Sequence, residues 1–322
     1  MRLFSESAAA ALTPLTRPEL PSGSTRGGTL ARRLYVAGVT TLTGAPGGGE
    51  AWSAQPRALI VTIYGLYARE AGGWLSVASL IRLMAELGSD EPAVRSSISR
   101  LKQRGVLESR REHGTAGYAL SRRGQAILAD GDRRIFERPR ASLADGWLLA
   151  VFSVPERERS QRHALRSRLA WLGFGTVSAG VWIAPGHLAG ETADVLERYQ
   201  LAGYVDLFRA DYLAFGDVAG QVARWWDLGR LQGLYQAFLD EARPVIARWD
   251  GARGADRAGG EAFADYVRAL TAWRRLPFLD PGLPEELLPG GWNGLQAAAA
   301  FAALRERLAG AARTHALAVI RR

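Results

Sequence analysis

The stretch from Trp74 to Ser121 constrains the chain most. Across residues 76–87, Val77, Leu80, Ile81, Met84 and Leu87 recur at helical spacing and predict an amphipathic helix. Gly88 ends it, because a residue without a Cβ tolerates the positive φ that follows many helix ends. Ser89 or Asp90 can then accept hydrogen bonds from the first free N–H groups of a second helix, with Pro92 in its opening turn. In that helix, running to about Arg104, Val94, Ile98 and Leu101 face inward. Arg95, Ser96, Ser99, Arg100 and Gln103 face outward, and Lys102 and Arg104 extend the cationic set. Short polar residues between arginines let a helix enter a major groove while guanidinium groups reach bases and phosphates. Residues 106–111 and 117–120 read as two short strands, with His113-Gly114-Thr115-Ala116 as a wing between them. Arg110, Arg111, His113 and Thr115 are its candidate contacts to DNA. The whole predicts a winged helix-turn-helix; the plainer alternative is a helix pair and hairpin in an ordinary core.

The charge balance agrees with a polyanionic partner. The chain of 322 residues carries a formal net charge of +9. Lys102 is its only lysine, so the positive charge is almost all arginine, whose planar fork matches phosphate. A coding bias towards arginine would give the same composition. The absence of cysteine excludes disulfides, thiolate nucleophiles and thiolate zinc sites. No apolar run approaches a membrane span, and residues 8–12 are too short for a signal peptide, so a cytoplasmic location is expected.

Four segments are expected. Residues 1–52, rich in Pro, Gly, Ser, Thr and Ala, read as a flexible extension. Residues 53–138 hold the DNA-binding domain, whose scaffold helix starts at Pro56 and ends at Gly72-Gly73. Trp74-Leu75 can add an edge strand to the wing sheet. A further helix opens at Arg122-Arg123; with Arg133 and Arg134, these arginines suit a solvated face or an interdomain contact. Residues 144–217 approach the order β-α-β-β-α-β of a ferredoxin-like sandwich, beginning with the apolar run Trp147-Leu148-Leu149-Ala150-Val151-Phe152. Residues 218–322 read as all helical, with a stiff, proline-punctuated connector at 280–289. The fold class expected is therefore α+β.

Longer motifs add a resemblance. "VRSSISRLKQRGVLESRR", "LRSRLAWLGFGTVSAGVWIAP", "WDLGRLQGLYQAFL" and "WRRLPFLDPGLPEELLPGGWNG" together resemble the PaaX family of bacterial transcriptional repressors of phenylacetic acid catabolism. The resemblance spans Pro56 to about Ala312. It implies a winged-helix domain, a ferredoxin-like middle domain similar to the small CRISPR-adaptation nucleases, and a helical C-terminal domain. It further implies a homodimer on double-stranded operator DNA, released by an aryl-CoA thioester, typically phenylacetyl-CoA. Three features depart from the family pattern. The wing reads Arg111-Glu112-His113-Gly114-Thr115 where the family has consecutive basic residues. Thr271-Ala272 stands where a His-Glu pair often precedes Arg274-Arg275. The N-terminal extension has no counterpart.

Catalysis is not expected, and no cofactor is. His113, His163, His187 and His315 lie far apart, and neither HExxH, a P-loop nor GxSxG occurs. The resemblance to a nuclease-like fold raises metal-dependent nuclease chemistry, but the strand around Ser153-Val154-Pro155-Glu156 offers no aspartate for the metal. A winged helix kept only for oligomerisation or protein contact is the other alternative. An acyl-CoA effector would need arginine for its phosphates and an aromatic slot for its acyl end. Trp182, Trp226, Trp273, Arg274 and Arg275 are the candidates, with Trp225 and Trp292 beside them; core packing is the plainer role for each tryptophan. On this reading the ligand sits where the middle and C-terminal domains meet, and residues 280–289 pass its effect to the last helix.

Overall fold

The computed structural model describes residues 55–137, 140–213, 215–250 and 259–322. The N-terminal extension expected at 1–52 lies outside them. Pro56 opens the first helix, α1 (Pro56–Ile63), where its missing N–H costs nothing. Leu59, Ile60, Ile63 and Tyr64 are buried along one side. The helix then widens into a π-turn, Tyr64–Ala68, in which the Arg69 amide donates to the Tyr64 carbonyl at 3.2 Å. Strand β1 (Trp74–Ser76) leads into α2 (Val77–Glu86), capped by the Ser76 hydroxyl, which accepts from the Ser79 amide at 2.9 Å.

Gly88, at φ 76°, turns the chain into α3 (Glu91–Gln103). Asp90 rather than Ser89 is its cap, accepting from the Ala93 amide at 2.8 Å. Strands β2 (Leu107–Glu112) and β3 (Thr115–Leu120) close a three-stranded antiparallel sheet in the order β1-β3-β2. The hairpin is tighter than the four-residue wing expected. Glu112 pairs with Thr115, so the turn is His113-Gly114 alone, at φ 49° and 79°. Both residues in the left-handed region make a type I′ turn, whose twist matches the strands it joins. Thr115 and Ala116 are therefore ladder residues. Ser121 caps α4 (Arg122–Phe136) and also donates to the Gly105 carbonyl at 2.6 Å.

Residues 147–210 form a four-stranded antiparallel sheet from β4 (Trp147–Phe152), β5 (Gly175–Ser178), β6 (Val181–Pro185) and β7 (Val205–Ala210), ordered β5-β6-β4-β7. Helices α5 (Arg159–Trp171) and α6 (Ala189–Arg198) cover one face. Their Leu165, Leu169, Val195 and Leu196 form a separate core with Leu148, Ala150, Phe152, Trp182 and Ala184. The other face is also covered at one end: Trp147 stacks on Trp226 (6.1 Å, 29°) and meets Trp225 edge-on. A Cβ at Gly175 would lie 2.7 Å from the Trp226 ring, so only glycine lets the indole close onto this strand.

The rest is helical: α7 (Val218–Trp225), α8 (Leu228–Asp250), α9 (Gly259–Trp273), the short α10 (Leu276–Leu279) and α11 (Asn293–Ile320). Asp227 caps α8, accepting from the Arg230 amide at 3.0 Å. The connector at 280–289 is a packed strap. Asp280 is buried, takes the Tyr235 hydroxyl at 2.6 Å and the Gly282 amide at 2.8 Å, and Gly282 in turn accepts from the Ala141 amide.

One hydrophobic core runs from α1, α2 and α3 into α8, α9 and α11. Tyr67 meets Phe263 at 5.8 Å, and the hydroxyls of Thr62 and Thr271 lie 2.7 Å apart in the interior. Arg82 reaches the Val319 carbonyl, and His315 Nε2 lies 2.8 Å from Glu86 Oε2. The C-terminal helices thus complete the core of residues 55–136.

Candidate nucleic-acid interface and an internal slot

Helix α3 presents its polar side because its apolar side is fully used. Val94, Ile98 and Leu101 are buried, and Ser97 joins them. Arg95, Ser96, Ser99, Arg100, Lys102 and Gln103 are exposed. Arg95 is held one turn back on Glu91, Nε to Oε1 at 2.7 Å, an exposed i,i+4 pair worth only a few tenths of a kcal/mol by the usual measure, about 0.3–0.5. The Lys102 ammonium sits 5.8 Å from the Tyr118 ring and ties the end of α3 to β3. Arg104, the last residue of this set, is half-buried at the helix C-terminus, with one Nη buried. Burial holds the Arg57 guanidinium of α1 below the usual arginine pKa, and the charges of Arg104 and Arg100 lower it further, so the three lie in one positive field.

On the hairpin, Arg110, Arg111, His113 and Thr115 are exposed. Arg110 pairs with Glu112 at 3.1 Å, and its carbonyl accepts the Trp74 indole N–H. The cationic side is therefore that of α3; the hairpin, joined to it by Lys102 over Tyr118, balances Arg110 and Arg111 with Glu108 and Glu112. Of the arginines of α4, Arg134 faces inward. It donates to the Trp171 and Leu172 carbonyls at 2.6 and 3.1 Å, pairs with Glu191 and stacks over Trp171 at 4.7 Å. It is a clasp between α4 and the α5–α6 layer.

The five residues considered for an effector do not share one place. Trp182 lies in the core of the sandwich against Phe152. Trp226 closes the opposite face of the sheet and donates to the Gly173 carbonyl at 2.9 Å. Trp273 stacks on Phe301 (4.9 Å, 10°) and lines a groove of about 550 Å3 with Arg140, Arg305 and Phe136. Arg275 is half-buried, and burial holds its pKa below the usual arginine value. Arg274 is buried and donates to the Ala58 carbonyl of α1; burial, then the neighbouring Arg275, pushes it down to about 10.

Arg274 does line an internal slot of about 80 Å3, where α1, α4, α5, α6, α9 and α10 converge. Its walls include Leu66, Leu128, Ile135, Trp171, Leu270 and Phe278. The polar groups at its margin are mostly engaged. Arg69 makes a fork to Asp132 at 2.6 and 3.0 Å while its Nε holds the Gly65 carbonyl, and Arg168 lies over the Tyr199 ring at 3.8 Å. The Trp171 indole N–H is buried without a partner among the described residues. None of Gly65, Gly131, Trp171 and Phe278 is a site candidate from sequence, although Trp171 and Phe278 lie within the quoted family motifs. Two glycines inside helical stretches were the available signal.

Among the described residues no group of three His, Asp or Glu could hold a metal, and no helix is long and apolar enough to cross a membrane. Comparison with known proteins gives three consecutive family matches. Residues 55–124 match the family described as PaaX-like protein, 140–222 the PaaX protein central Cas2-like domain, and 226–318 the PaaX-like protein C-terminal domain. The chain is 28% identical over 258 residues to the transcriptional repressor PaaX of Escherichia coli (strain K12), covering 79% of this chain and 80% of that one. It is also similar to the structure of the uncharacterized protein Rv0674 from Mycobacterium tuberculosis, at 24% identity and a TM-score of 0.50 over 82% of this chain and 98% of that one.

Proposed function

The chain belongs to the PaaX family, and from that premise we propose that it is a DNA-binding transcriptional repressor rather than an enzyme. Residues 55–136 are read as a winged helix-turn-helix, with α3 as the recognition helix and the β2–β3 hairpin as the wing. The sheet order β5-β6-β4-β7, with α5 and α6 on one face, suits a ferredoxin-like middle domain. The observation that carries the reading is the outer side of α3, where Arg95, Ser96, Ser99 and Arg100 stand exposed. Ser96 and Ser99 are short enough for the helix to approach base edges, which Arg95 and Arg100 can then reach. Arg95 must first leave Glu91, an exposed pair that costs little to break.

One recognition helix covers only a few base pairs, so the protein acts as a homodimer on a partly palindromic site. Its release is assigned to an acyl-CoA thioester, phenylacetyl-CoA in the first instance, as the family resemblance implies. The test is a mobility shift on the DNA upstream of the gene, with and without phenylacetyl-CoA, and light scattering of the complex. A retarded band that the thioester removes, and a two-protomer mass, are expected. No sequence-selective retardation at low salt would overturn the repressor reading.

A further inference from the structure

Two helical glycines face the internal slot, and backbone geometry requires neither. Gly65 stands in the π-turn of α1 and Gly131 in the middle of α4. Neither has a positive φ. A Cβ at Gly65 would meet Leu128 at 3.5 Å, and one at Gly131 would meet Ile135 at 3.6 Å and Phe278 at 4.0 Å, all ordinary contacts. Alanine would fit both places. Glycine inside a helix is less favourable than alanine by roughly 0.5–1 kcal/mol. The chain forgoes that stability twice, from two different helices, and the result is a cavity of about 80 Å3 left open inside an otherwise packed junction.

The lining indicates what fits. Leu66, Leu128, Ile135, Leu270 and Phe278 suit a flat apolar group, and the open volume suits a single ring rather than a nucleotide. Trp171 lies against Phe278 at 5.6 Å, so one wall is aromatic. Its unpartnered, buried indole N–H is a donor of the kind a ligand oxygen satisfies.

The slot also touches the part that would respond. The π-turn gives it Gly65 and Leu66, and Arg69 follows directly. This π-turn ends α1, so it is not held by a following helical turn and leans on neighbouring side chains instead. Here the holders are the Arg69–Asp132 fork and the Arg69 bond to the Gly65 carbonyl. Helix α1 packs on α3, so a displacement at the π-turn reaches the recognition helix without crossing a loop.

We propose that this slot binds a small aromatic ring carrying an oxygen acceptor, and that the π-turn of α1 reports its presence to α3. The proposal rests on the regulator reading and gives its effector site a location. It differs from the route through the connector, because Arg274, Leu270 and Gly65 meet at the slot itself.

The test uses the full chain and three probes: phenylacetyl-CoA, phenylacetate and free CoA. Calorimetry measures affinity, and hydrogen exchange follows amides 64–73. Phenylacetyl-CoA is expected to bind at least tenfold more tightly than CoA and to slow exchange in the π-turn. Gly131→Met, which fills the slot from α4, should cost at least tenfold in phenylacetyl-CoA affinity while the upstream DNA is still retarded. If Gly131→Met unfolds, the double substitution Gly65→Ala/Gly131→Ala takes its place, since both methyl groups have room, and a loss of at least threefold is expected. Unchanged affinity in a folded slot-filled variant overturns the site. Unchanged exchange at 64–73 on binding overturns the role of the π-turn. No ring-dependent binding by wild-type protein that retards DNA also overturns the site and leaves the repressor standing. Ring binding without DNA retardation does the reverse.

Discussion

The sandwich keeps the core under its helices to itself and shares only the opposite face, through Trp147 and Ile183, whereas residues 55–136 share theirs throughout. Under α5 and α6, Leu148, Phe152, Leu165, Leu169 and Leu196 pack only among sandwich residues. The core begun by Leu59, Ile60 and Leu80 continues through Tyr235, Phe263, Leu304 and Leu308 in helices more than a hundred residues later. The sandwich attaches by clasps of arginine and tryptophan: Arg134 on the Trp171 and Leu172 carbonyls, Arg198 on Asp130, and Trp147 against Trp226. A unit whose main core is its own, held by arginine clasps and a narrow aromatic seam, can shift more readily than one whose core is shared. A unit that shares its core cannot move without its partner. A ligand in the slot, which lies where the two meet, is therefore expected to shift the sandwich against the fused body as well as to displace the π-turn.

The comparison can be broken most severely at Phe263. Truncating a buried Phe costs about 3–5 kcal/mol. Because Phe263 touches Tyr67, Phe263→Ala should abolish DNA binding although it lies in α9. Leu165→Ala, costing about 2–5 kcal/mol in the sandwich core, should leave DNA binding largely intact at low temperature. Urea unfolding monitored by circular dichroism, with mobility shifts at each temperature, separates the two. Equal effects on DNA binding would mean that the cores are not independent. Arg134→Ala removes bonds to two carbonyls and an ion pair, and a loss of about 2–3 kcal/mol is expected, with the sandwich and the fused body then unfolding at separate midpoints. A single unchanged transition in calorimetry would show that the clasp does not couple them.

Smaller effects sharpen the surface. Arg95→Ala and Arg100→Ala should each cost about 1–3 kcal/mol of sequence discrimination, measured as operator against scrambled DNA, while exposed Arg133→Ala changes neither affinity nor preference. Discrimination preserved in both α3 variants would remove α3 as the recognition helix. Smallest, Gly131→Ala should stabilise the protein by about 0.5–1 kcal/mol in thermal unfolding, because the methyl group has room in a helix interior. Destabilisation there would mean that α4 needs the glycine for packing.

Local physics was legible in the residues. The apolar spacing of Leu80, Met84, Val94, Ile98 and Leu101 located α2 and α3, and all five are buried. Capping narrowed one boundary to Ser89 or Asp90, and hydrogen bonding selects Asp90. The run beginning at Trp147 is an inner strand of its sheet, as its unbroken apolarity suggests. The hairpin turn was misjudged by two residues because His113 adopts a positive φ without being glycine, asparagine or aspartate, the usual markers. What could not be read was long-range. Nothing in either segment tells Thr62 that it meets Thr271, 209 positions away. The slot escaped for the same reason: each helix gives it only a few residues, so no motif forms along the chain. The five effector candidates are of residue types that bind ligands, but aromatic and arginine side chains also fill cores and clasp carbonyls, and here Trp182 and Trp226 do the former.

The shared core has a consequence for how the protein is made. Translation delivers α1, α2 and α3 first, yet the side chains that seal them, Phe263, Ala312 and Ala316 among them, emerge last. The nascent reading head must wait, with part of its apolar surface open, until α11 arrives beside α2. A message cut short after the sandwich would yield a chain that carries every side chain proposed to contact DNA and no finished body to hold them. On the repressor reading, incomplete copies are then expected not to bind DNA.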